Sequence, residues 1–277
     1  MDNSAAQTYS DACDIIASGW LVPSRVNGEQ FFPLLHPQRL RLAGTVVGFN
    51  ASSDTFTKLH LIGDDDDPLE HEYKIYQQLT GEPWVPKLQG FGTEGRWRYL
   101  SMESVGIDIT SIWLSANGWT ISIACAIVKE MLNILHGLHL HGYIHGDIKP
   151  PNFCCRLDNA INLGVEFSIV DMESVTTCPV DAPRRPGTAY WSSSYALAGA
   201  PQSWRDDLHS LAYILLNLCG VELPWDEASW EDDIDEMIRL KRRYSAPALC
   251  EDLPPACVEF VQLCLGLDFM EVPPMTL

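Results

Sequence analysis

The chain has 277 residues, of which 46% are hydrophobic and 20% are charged, a composition typical of globular proteins. Its formal net charge of −19 argues against a protein that binds nucleic acid or anionic membranes through charge alone. The length suits one large or two small domains, and no unbroken apolar run reaches the roughly 18 to 20 residues of a membrane span.

The start of the chain and its cysteines bear on where the protein works. Met1–Ser4 lacks the basic and apolar regions of a secretion signal. The nine cysteines are odd in number, show no paired metal-ligand spacing, and include a poor disulfide pair at Cys154-Cys155. We therefore expect reduced thiols and a cytoplasmic or nuclear location. With the net charge taken into account, we also expect a monomer that binds neither nucleic acid nor membrane.

The first part of the chain predicts a small lobe rich in strands. Residues 1–30 are typical of an irregular N-terminal extension, and residues 31–104 form the lobe itself. The strongest signal is Thr55–Ile62, which alternates polar and apolar residues with the period of a half-buried strand. The other predicted elements are strands at Leu42–Phe49 and Arg98–Met102 and a helix at Pro68–Leu79.

An acidic run, Asp64–Asp67, precedes the predicted helix and supplies part of the net charge. Runs of like charge usually lie in solvent. We interpret this one as a solvated loop, with a docking site for basic partners as the weaker alternative.

Residues 105–277 predict a larger lobe dominated by helices. Apolar residues recur at helical spacing from Ile121 to Leu140, and Gly142 is suited to end that helix. Two short strands flank an Asp158-Asn159 turn, and three further helices follow. Their predicted bounds are Phe153–Arg156, Phe167–Val170, Asp206–Leu218, Asp232–Lys241 and Ala256–Leu267. Strands followed by helices predict an α+β fold.

The loop after the long helix carries the clearest chemistry. Between Tyr143 and Asn152 it places a carboxylate, an ammonium group and an amide close together. Phosphoryl transfer needs such a set: Asp147 to orient a hydroxyl and accept its proton, Lys149 to neutralise the γ-phosphate, and Asn152 to bind a metal ion. The loop therefore predicts a phosphoryl-transfer site.

This loop resembles the catalytic loop of protein kinases, H-R-D-x-K-x-x-N, with Gly146 in place of the arginine. Later segments resemble the casein kinase I family: Gly187–Ser193 is similar to G-T-A-R-Y-A-S, and Arg205–Leu211 with Leu223–Trp225 is similar to R-D-D-L-E-S-L … L-P-W. The resemblance covers about residues 40–277. It implies a protein-kinase-like two-lobe fold, with a small β-rich N-lobe and a larger α-helical C-lobe.

The resemblance assigns ATP and Mg²⁺ as cofactors and gives roles to charged residues. Lys58 lies mid-strand among apolar neighbours, where a lysine needs an anionic partner. It would contact the α- and β-phosphates of ATP, and Glu72, 14 residues later, would hold it. Asn152 and Asp171 would bind Mg²⁺ through oxygen atoms.

The resemblance also assigns residues that bind the base of ATP and residues that support the loop. In Leu100–Gly106, Met102 would lie behind the adenine, and the Glu103 carbonyl and the Val105 amide would hydrogen-bond the base. Two supporting roles remain. His145 and Asp207 would be structural, with Asp207 accepting hydrogen bonds from backbone amides of the catalytic loop.

Two glycine-dependent segments depart from the family pattern. Pro37–Gly44 stands where kinases have G-x-G-x-x-G, and only Gly44 fits, as the last ATP-binding glycine. Arg39 or Arg41 would be the compensating cation. Asp171 is followed by Met-Glu rather than Phe-Gly, and Glu173 resists backbone conformations that glycine tolerates.

Two arginines of the family are also replaced. Gly146 removes the arginine that clamps an activating phosphate, and Tyr190 replaces the arginine of G-T-A-R-Y. The second change puts in doubt a preference for substrates that are already phosphorylated. Arg184 and Arg185 offer a different anion site.

Three functions follow from these residues. The leading hypothesis is an ATP-dependent kinase that transfers the γ-phosphate to Ser or Thr hydroxyls of a protein substrate. The second is a pseudokinase that binds nucleotide or partner proteins without efficient catalysis, because the Gly-rich loop is missing. The third is a small-molecule phosphotransferase, because His145-Gly146-Asp147 with Asn152 also fits H-G-D-x-x-x-x-N.

Overall fold

The computed structural model describes residues 25–33, 45–50, 53–62, 67–116, 119–157, 165–179, 187–230 and 233–271. The chain divides into two compact units, residues 1–104 and 105–277. Among the described residues, most strands lie in the first unit and most helices in the second. The predicted α+β class is confirmed.

The first unit is organised around one sheet. Its elements are β1 (Arg25–Val26), β2 (Glu29–Gln30), β3 (Phe32–Pro33), β4 (Thr45–Asn50), β5 (Thr55–Leu61), α1 (Pro68–Gln78), β6 (Leu88–Glu94) and β7 (Trp97–Glu103). Five of the strands form an antiparallel sheet in the order β3-β4-β5-β7-β6. Its hydrophobic core is built from Val26, Phe31, Val46, Leu59 and Trp97.

Three predicted elements of this unit are reproduced to within one residue at each end: β5, α1 and β7. Asp67 caps α1, because its side chain accepts hydrogen bonds from the Leu69 and Glu70 amides. It also pairs with Arg98 at 2.6 Å. The last residue of the acidic run therefore has a structural role, and residues 63–66 lie outside the described residues.

The expectation of an irregular extension over residues 1–30 does not hold for residues 25–30. Strands β1 and β2 form a hairpin there, and Val26 is fully buried in the core. The turn consists of Asn27 and Gly28, both with positive φ (52° and 78°), the signature of a tight hairpin turn. The Asn-Gly pair was the available sequence signal. Residues 1–24 lie outside the described residues.

Strand β6 is absent from the sequence-based prediction. It contains Gly90 and Gly92, which weaken strand propensity, and its pairing with β7 shifts in register near Gly90. A Cβ atom at Gly92 would lie 2.8 Å from the hydroxyl oxygen of Tyr99. The glycines therefore make room for the Tyr99 ring across the sheet.

The second unit is mainly helical. Its elements are β8 (Ile107–Asp108), α2 (Ile109–Ser115), α3 (Ile121–Leu140), β9 (Tyr143–Ile144), β10 (Phe153–Leu157), β11 (Val165–Ile169), β12 (Thr176–Thr177), α4 (Ser194–Leu197), α5 (Trp204–Leu218), α6 (Asp226–Trp230), α7 (Ile234–Arg243), α8 (Ala246–Leu249) and α9 (Pro255–Leu265). Helix α5 is buried along almost its whole length and packs against α3 and α9. It is the centre of this unit.

Helix α3 has the predicted bounds, and Gly142 follows its last residues in a left-handed conformation with φ of 78°. By length and composition alone, this helix is the one among the described residues that could cross a membrane. It packs one face on α5 and exposes Lys129 and Glu130 near its middle.

Two short antiparallel strands, β10 and β11, carry the site residues that follow the loop. Their register pairs Phe153 with Ile169, so the residues that flank this pair lie at one end of the hairpin. The predicted strands are present, each starting or ending within two residues of its expected bounds. The predicted turn at Asp158-Asn159 lies outside the described residues.

Gly106 offers a test of backbone packing in the second unit. It has φ of 95°, and a Cβ atom there would lie 2.1 Å from the Cys155 carbonyl oxygen, whereas Gly220 (φ of 82°) has open space. We expect Gly220→Ala to lower the free energy of unfolding by about 1 kcal/mol and Gly106→Ala by about 3 kcal/mol or more. Urea unfolding measures both. Equal losses would contradict the proposed clash.

His209 of α5 predicts a pH dependence of stability. It is buried between the rings of Tyr195 and Tyr213, and burial lowers its pKa to about 3. Between pH about 6.5 and about 3, the unfolded chain binds a proton at this histidine that the folded chain does not. The free energy of unfolding therefore decreases by about 1.4 kcal/mol for each unit by which the pH is lowered through this range. We expect His209→Phe to reduce the slope of the unfolding free energy against pH by the contribution of one proton, as measured by urea unfolding at a series of pH values. The partly exposed His136→Phe serves as the control, and an unchanged slope in His209→Phe would refute the prediction.

Candidate active site

In the first unit, Lys58 and Glu72 form a two-pronged ion pair. Lys58 lies in the middle of β5 and Glu72 on the buried face of α1. The Lys58 Nζ donates to both carboxylate oxygens, at 2.8 and 3.0 Å. Glu72 is fully buried and the Lys58 side chain is 12% exposed. Burial of both charges is tolerated because each neutralises the other.

The residues predicted to bind adenine lie at the end of β7 and just after it. Met102 is buried and pairs in register with Phe56 of β5. The Glu103 amide donates to the Lys87 carbonyl at 2.9 Å, and its side chain accepts from the Lys87 amide at 3.0 Å. Val105 is the first residue of the second unit and is partly exposed.

In the second unit, the buried Asp207 anchors the loop. Its carboxylate accepts hydrogen bonds from the His145 amide (2.8 Å) and the Gly146 amide (2.9 Å) and contacts His139 Nε2 (2.9 Å). Burial by itself raises the pKa of Asp207, but the His139 hydrogen bond and the other donors outweigh it, so the net pKa is lowered. Asp207 therefore stays ionised as an acceptor for three donors.

The backbone of the loop accounts for the glycine at position 146. Gly146 has φ of 75°, a left-handed conformation that glycine adopts without steric cost. His145 next to it is fully buried, and burial lowers its pKa against the opposing effect of nearby carboxylates. His145 accepts a hydrogen bond at Nδ1 from the Asp147 amide at 3.3 Å. The neutral imidazole thus supports the turn from inside.

Asp147 is held from several sides. The Thr188 amide donates to Oδ1 at 2.6 Å, and Lys149 Nζ donates to Oδ2 at 2.5 Å. Lys149 also contacts the Thr188 hydroxyl at 3.3 Å. Asn152 Nδ2 donates to the Asp147 main-chain carbonyl at 3.0 Å. The three residues predicted to be catalytic therefore form one hydrogen-bonded group, joined to Thr188.

Gly187 determines how closely this group can pack. A Cβ atom at this position would lie 2.5 Å from Asp147 Oδ1 and 2.5 Å from the Gly146 carbonyl oxygen. No side chain fits at such distances without displacing the carboxylate. Only glycine lets the segment from residue 187 approach Asp147 this closely.

Asp171 lies beside Asn152 at the end of the β10–β11 hairpin. The Val170 amide donates to the Asn152 carbonyl at 2.9 Å. Asp171 has φ of 70° and ψ of 67°, a left-handed conformation that is uncommon outside glycine. The conformational demand therefore falls on Asp171, while Glu173 lies exposed in a 3₁₀ turn over Met172–Ser174. Glu173 therefore does not adopt the left-handed backbone conformation that it was expected to resist.

Comparison with known proteins gives a consistent assignment. A model described as the protein kinase domain matches residues 56–273. The chain belongs to the protein kinase family. It is also 30% identical over 217 residues to a protein named Casein kinase 1-like protein HD16 from Oryza sativa subsp. japonica. That match covers 73% of this chain and 30% of the rice protein, so the chain spans less than a third of that relative's length.

The donor set of this kinase site suits Mg²⁺. With its nitrogen engaged by the Asp147 carbonyl, Asn152 has its amide oxygen as the remaining metal donor, and Asp171 adds a carboxylate. Mg²⁺ commonly takes one or two protein oxygens and fills its other positions with phosphate and water.

Sequence reasoning missed Lys241 of the kinase domain. Its Nζ donates to the carbonyls of Ala189 (3.1 Å), Tyr190 (2.8 Å) and Ser192 (2.6 Å). The amino group also lies 4.8 Å from the ring centres of Tyr213 and Trp225. Burial lowers the pKa of Lys241 well below its ordinary value. A lysine in the last turn of a charged helix gave no sequence signal for this role.

Tyr190, which replaces the family's arginine, turns into the protein. Its hydroxyl donates to Asp226, and its carbonyl accepts from Trp225 Nε1 at 3.0 Å. Burial, together with the hydrogen bond to Asp226, raises the pKa of Tyr190. This side chain therefore serves packing.

Several predicted residues lie outside the described residues. They are the ATP-loop glycine Gly44, the two candidate compensating cations Arg39 and Arg41, and the alternative anion site Arg184 and Arg185. Their roles stay predictions.

The ion pair of the first unit makes a stability prediction. Lys58→Met removes the cation that neutralises the buried Glu72 carboxylate, and we expect a loss of about 3 kcal/mol in unfolding free energy. Lys74→Met is the matched control, because Lys74 pairs with Glu70 on the exposed face of the same helix and should cost under about 0.5 kcal/mol. Urea unfolding measures both variants. A double variant, Lys58→Met with Glu72→Leu, should recover much of the loss, and failure to recover would argue against the buried-charge explanation.

Proposed function

We propose that this protein is an ATP- and Mg²⁺-dependent protein kinase that phosphorylates Ser or Thr hydroxyls. The observation that supports this most is the Asp147 group, in which a carboxylate, an ammonium group and a threonine share hydrogen bonds. Such an arrangement keeps a general base and a phosphate-binding cation next to each other before substrate arrives. We also propose that the protein works in the cytoplasm or nucleus.

Each residue has a distinct task in this proposal. Asp147 orients the acceptor hydroxyl and takes its proton, while Lys149 moves from Asp147 toward the transferred phosphate. Lys58, held by Glu72, binds the α- and β-phosphates. Asn152 and Asp171 hold Mg²⁺, which neutralises phosphate charge as it develops.

The pseudokinase alternative is motivated by the missing Gly-rich loop and by Met172-Glu173. The second motive is weaker than the sequence suggests, because Met172 is fully buried and Glu173 is exposed rather than strained. A pseudokinase would also have no catalytic requirement for the Lys58–Glu72 ion pair or for the Asp147 group, and both are present here. These observations favour the active enzyme.

A small-molecule phosphotransferase is the remaining alternative. It shares His145-Gly146-Asp147 and Asn152, but it does not account for Thr188, whose amide and hydroxyl both contact the Asp147 group. Thr188 belongs to the segment that resembles casein kinase I. The connection favours a protein substrate.

Phosphate transfer from radiolabelled ATP to an acidic test protein or to the kinase itself tests the proposal. We expect incorporation that depends on Mg²⁺ and falls at least about 100-fold in Asp147→Asn, because the general base is lost. Incorporation no greater than that of Asp147→Asn would reject it. Stabilisation by Mg·ATP without transfer would then indicate the pseudokinase, and transfer to amino alcohols or sugars alone would indicate the third function.

Gly187→Ala tests the geometry of the proposed base. The added methyl group must displace the Asp147 carboxylate, so we expect the rate of transfer to fall about 10-fold or more while the protein stays folded. The control is Gly199→Ala, which has a strained φ of 73° but open space around it. It should cost stability and leave the rate per folded molecule unchanged. Similar rates in the two variants would mean that Asp147 tolerates displacement.

A further inference from the structure

Four thiols gather at one end of the helical unit, away from the loop. They come from the second turn of α3, the residue after α5, the residue after α8, and the first turn of α9: Cys125, Cys219, Cys250 and Cys257. The Sγ atoms of Cys125 and Cys257 are 3.6 Å apart. Cys219 lies near Cys125, Cys250 and Cys257. The sequence separations gave no hint of this cluster, since Cys125 and Cys257 are 132 positions apart in the chain.

The cluster is not arranged as a metal site. Among the described residues, no group of three or more His, Cys, Asp or Glu side chains could hold a metal ion, and this includes these four thiols. Structural zinc needs four ligands at tetrahedral positions. The feature that stands out is therefore one thiol pair in contact.

We propose that Cys125 and Cys257 are a redox pair that a peroxide converts into an intramolecular disulfide. The Cys125 sulfur attacks one peroxide oxygen, which gives a sulfenic acid and one water. The Cys257 sulfur then attacks the Cys125 sulfur, which forms the S–S bond and releases the second water. Two thiols lose two electrons and hydrogen peroxide gains them, so the balance is closed.

The order of attack follows from exposure. Cys125 is partly exposed, whereas Cys257 is 2% exposed. Burial, together with the neighbouring Cys125, raises the pKa of Cys257 to about 12, so this thiol stays protonated near neutral pH. Cys125 therefore meets the oxidant first. Cys257 then resolves the product from inside as its thiol proton passes to the departing hydroxide, which leaves as the second water, and the 3.6 Å contact compensates for its small thiolate fraction.

The pair is close enough to close without unfolding. An S–S bond is about 2.05 Å long, so the sulfurs need to approach by about 1.5 Å, within reach of side-chain rotation. The bond would tie the start of α3 to the start of α9. Closing so long a loop restricts the unfolded chain strongly and should stabilise the folded one.

The disulfide should leave the Asp147 group in place. Cys125 and His139 lie on the same helix 14 residues apart, which is about 21 Å along its axis. The thiol pair and the Asp207 anchor are thus at opposite ends of α3. The inference is independent of the proposed kinase activity, because it is read out by covalent structure and stability.

The test uses the full chain, first reduced and then treated with hydrogen peroxide. We expect non-reducing peptide mapping to find a Cys125–Cys257 cross-link, and we expect the melting temperature to rise by about 5 °C or more until a dithiol reverses it. In Cys257→Ala, Cys125 should instead be labelled by dimedone, a trap for sulfenic acid. Cys178→Ser is the matched control, since Cys178 is partly exposed but is influenced by the charges of Asp206 and Asp207, and it should behave as wild type.

Three results would overturn the proposal. One is complete oxidation in which peptide mapping finds no Cys125–Cys257 bond. Another is a dominant bond from Cys125 to Cys219 or to Cys250. The third is one tightly held zinc per reduced chain, released when any of the four cysteines is replaced by serine, which would make the cluster a metal site.

Discussion

The buried carboxylate of Asp207 is the interaction on which the functional half of the molecule depends. A charge buried inside a protein costs several kcal/mol unless donors replace the lost water. Here two backbone amides of the loop and one histidine do so, and the amides in turn would be unsatisfied without the carboxylate. Loop and helix α5 therefore fix each other. Asp147 is the next residue after the amides that Asp207 holds, so its position follows from this contact.

A second buried polar group, the amino group of Lys241, acts on the segment that approaches Asp147 from the other side. Its amino group organises three main-chain carbonyls between residues 189 and 192, just after the Thr188 amide that bonds Asp147. Carbonyl oxygens and the faces of two aromatic rings take the place of a carboxylate partner. The carboxylate of Asp207 and the amino group of Lys241, both buried in the helical unit, thus position the two chain segments that meet at the proposed base.

The departures from the kinase pattern are absorbed locally. Gly146 takes the left-handed conformation of the loop without strain, so the loss of an arginine does not distort the turn. Glu173 avoids the conformation for which glycine would be needed, because Asp171 adopts the left-handed state instead. Tyr190 turns inward to Asp226. These three changes affect residues around the Asp147 group, including two positions where the family has an arginine, and they leave the hydrogen bonds of the Asp147 group in place.

The sequence by itself determined the class of fold and the main helices and strands, and it supplied the candidate residues for the chemistry. Periodicity and the spacing of Asp147, Lys149 and Asn152 are local properties of a short segment, so they can be recognised in the sequence without a structure. The Asn27-Gly28 pair is a local hairpin signal that the prediction overlooked. The signal at β6 was weak, because the strand contains glycines that leave room for the Tyr99 ring.

Only the tertiary structure decided which distant groups meet. The burial of Lys241 against residues 189–192, the approach of Gly187 to Asp147 and the contact of Cys125 with Cys257 all join segments separated by 40 to 132 residues. Each depends on how helices pack around α5, and packing is a property of the whole core rather than of any window of sequence. The pairing of Lys58 with Glu72 and of Asp207 with the loop amides could be predicted from the sequence, whereas the roles of Lys241, Gly187 and the Cys125–Cys257 pair could not.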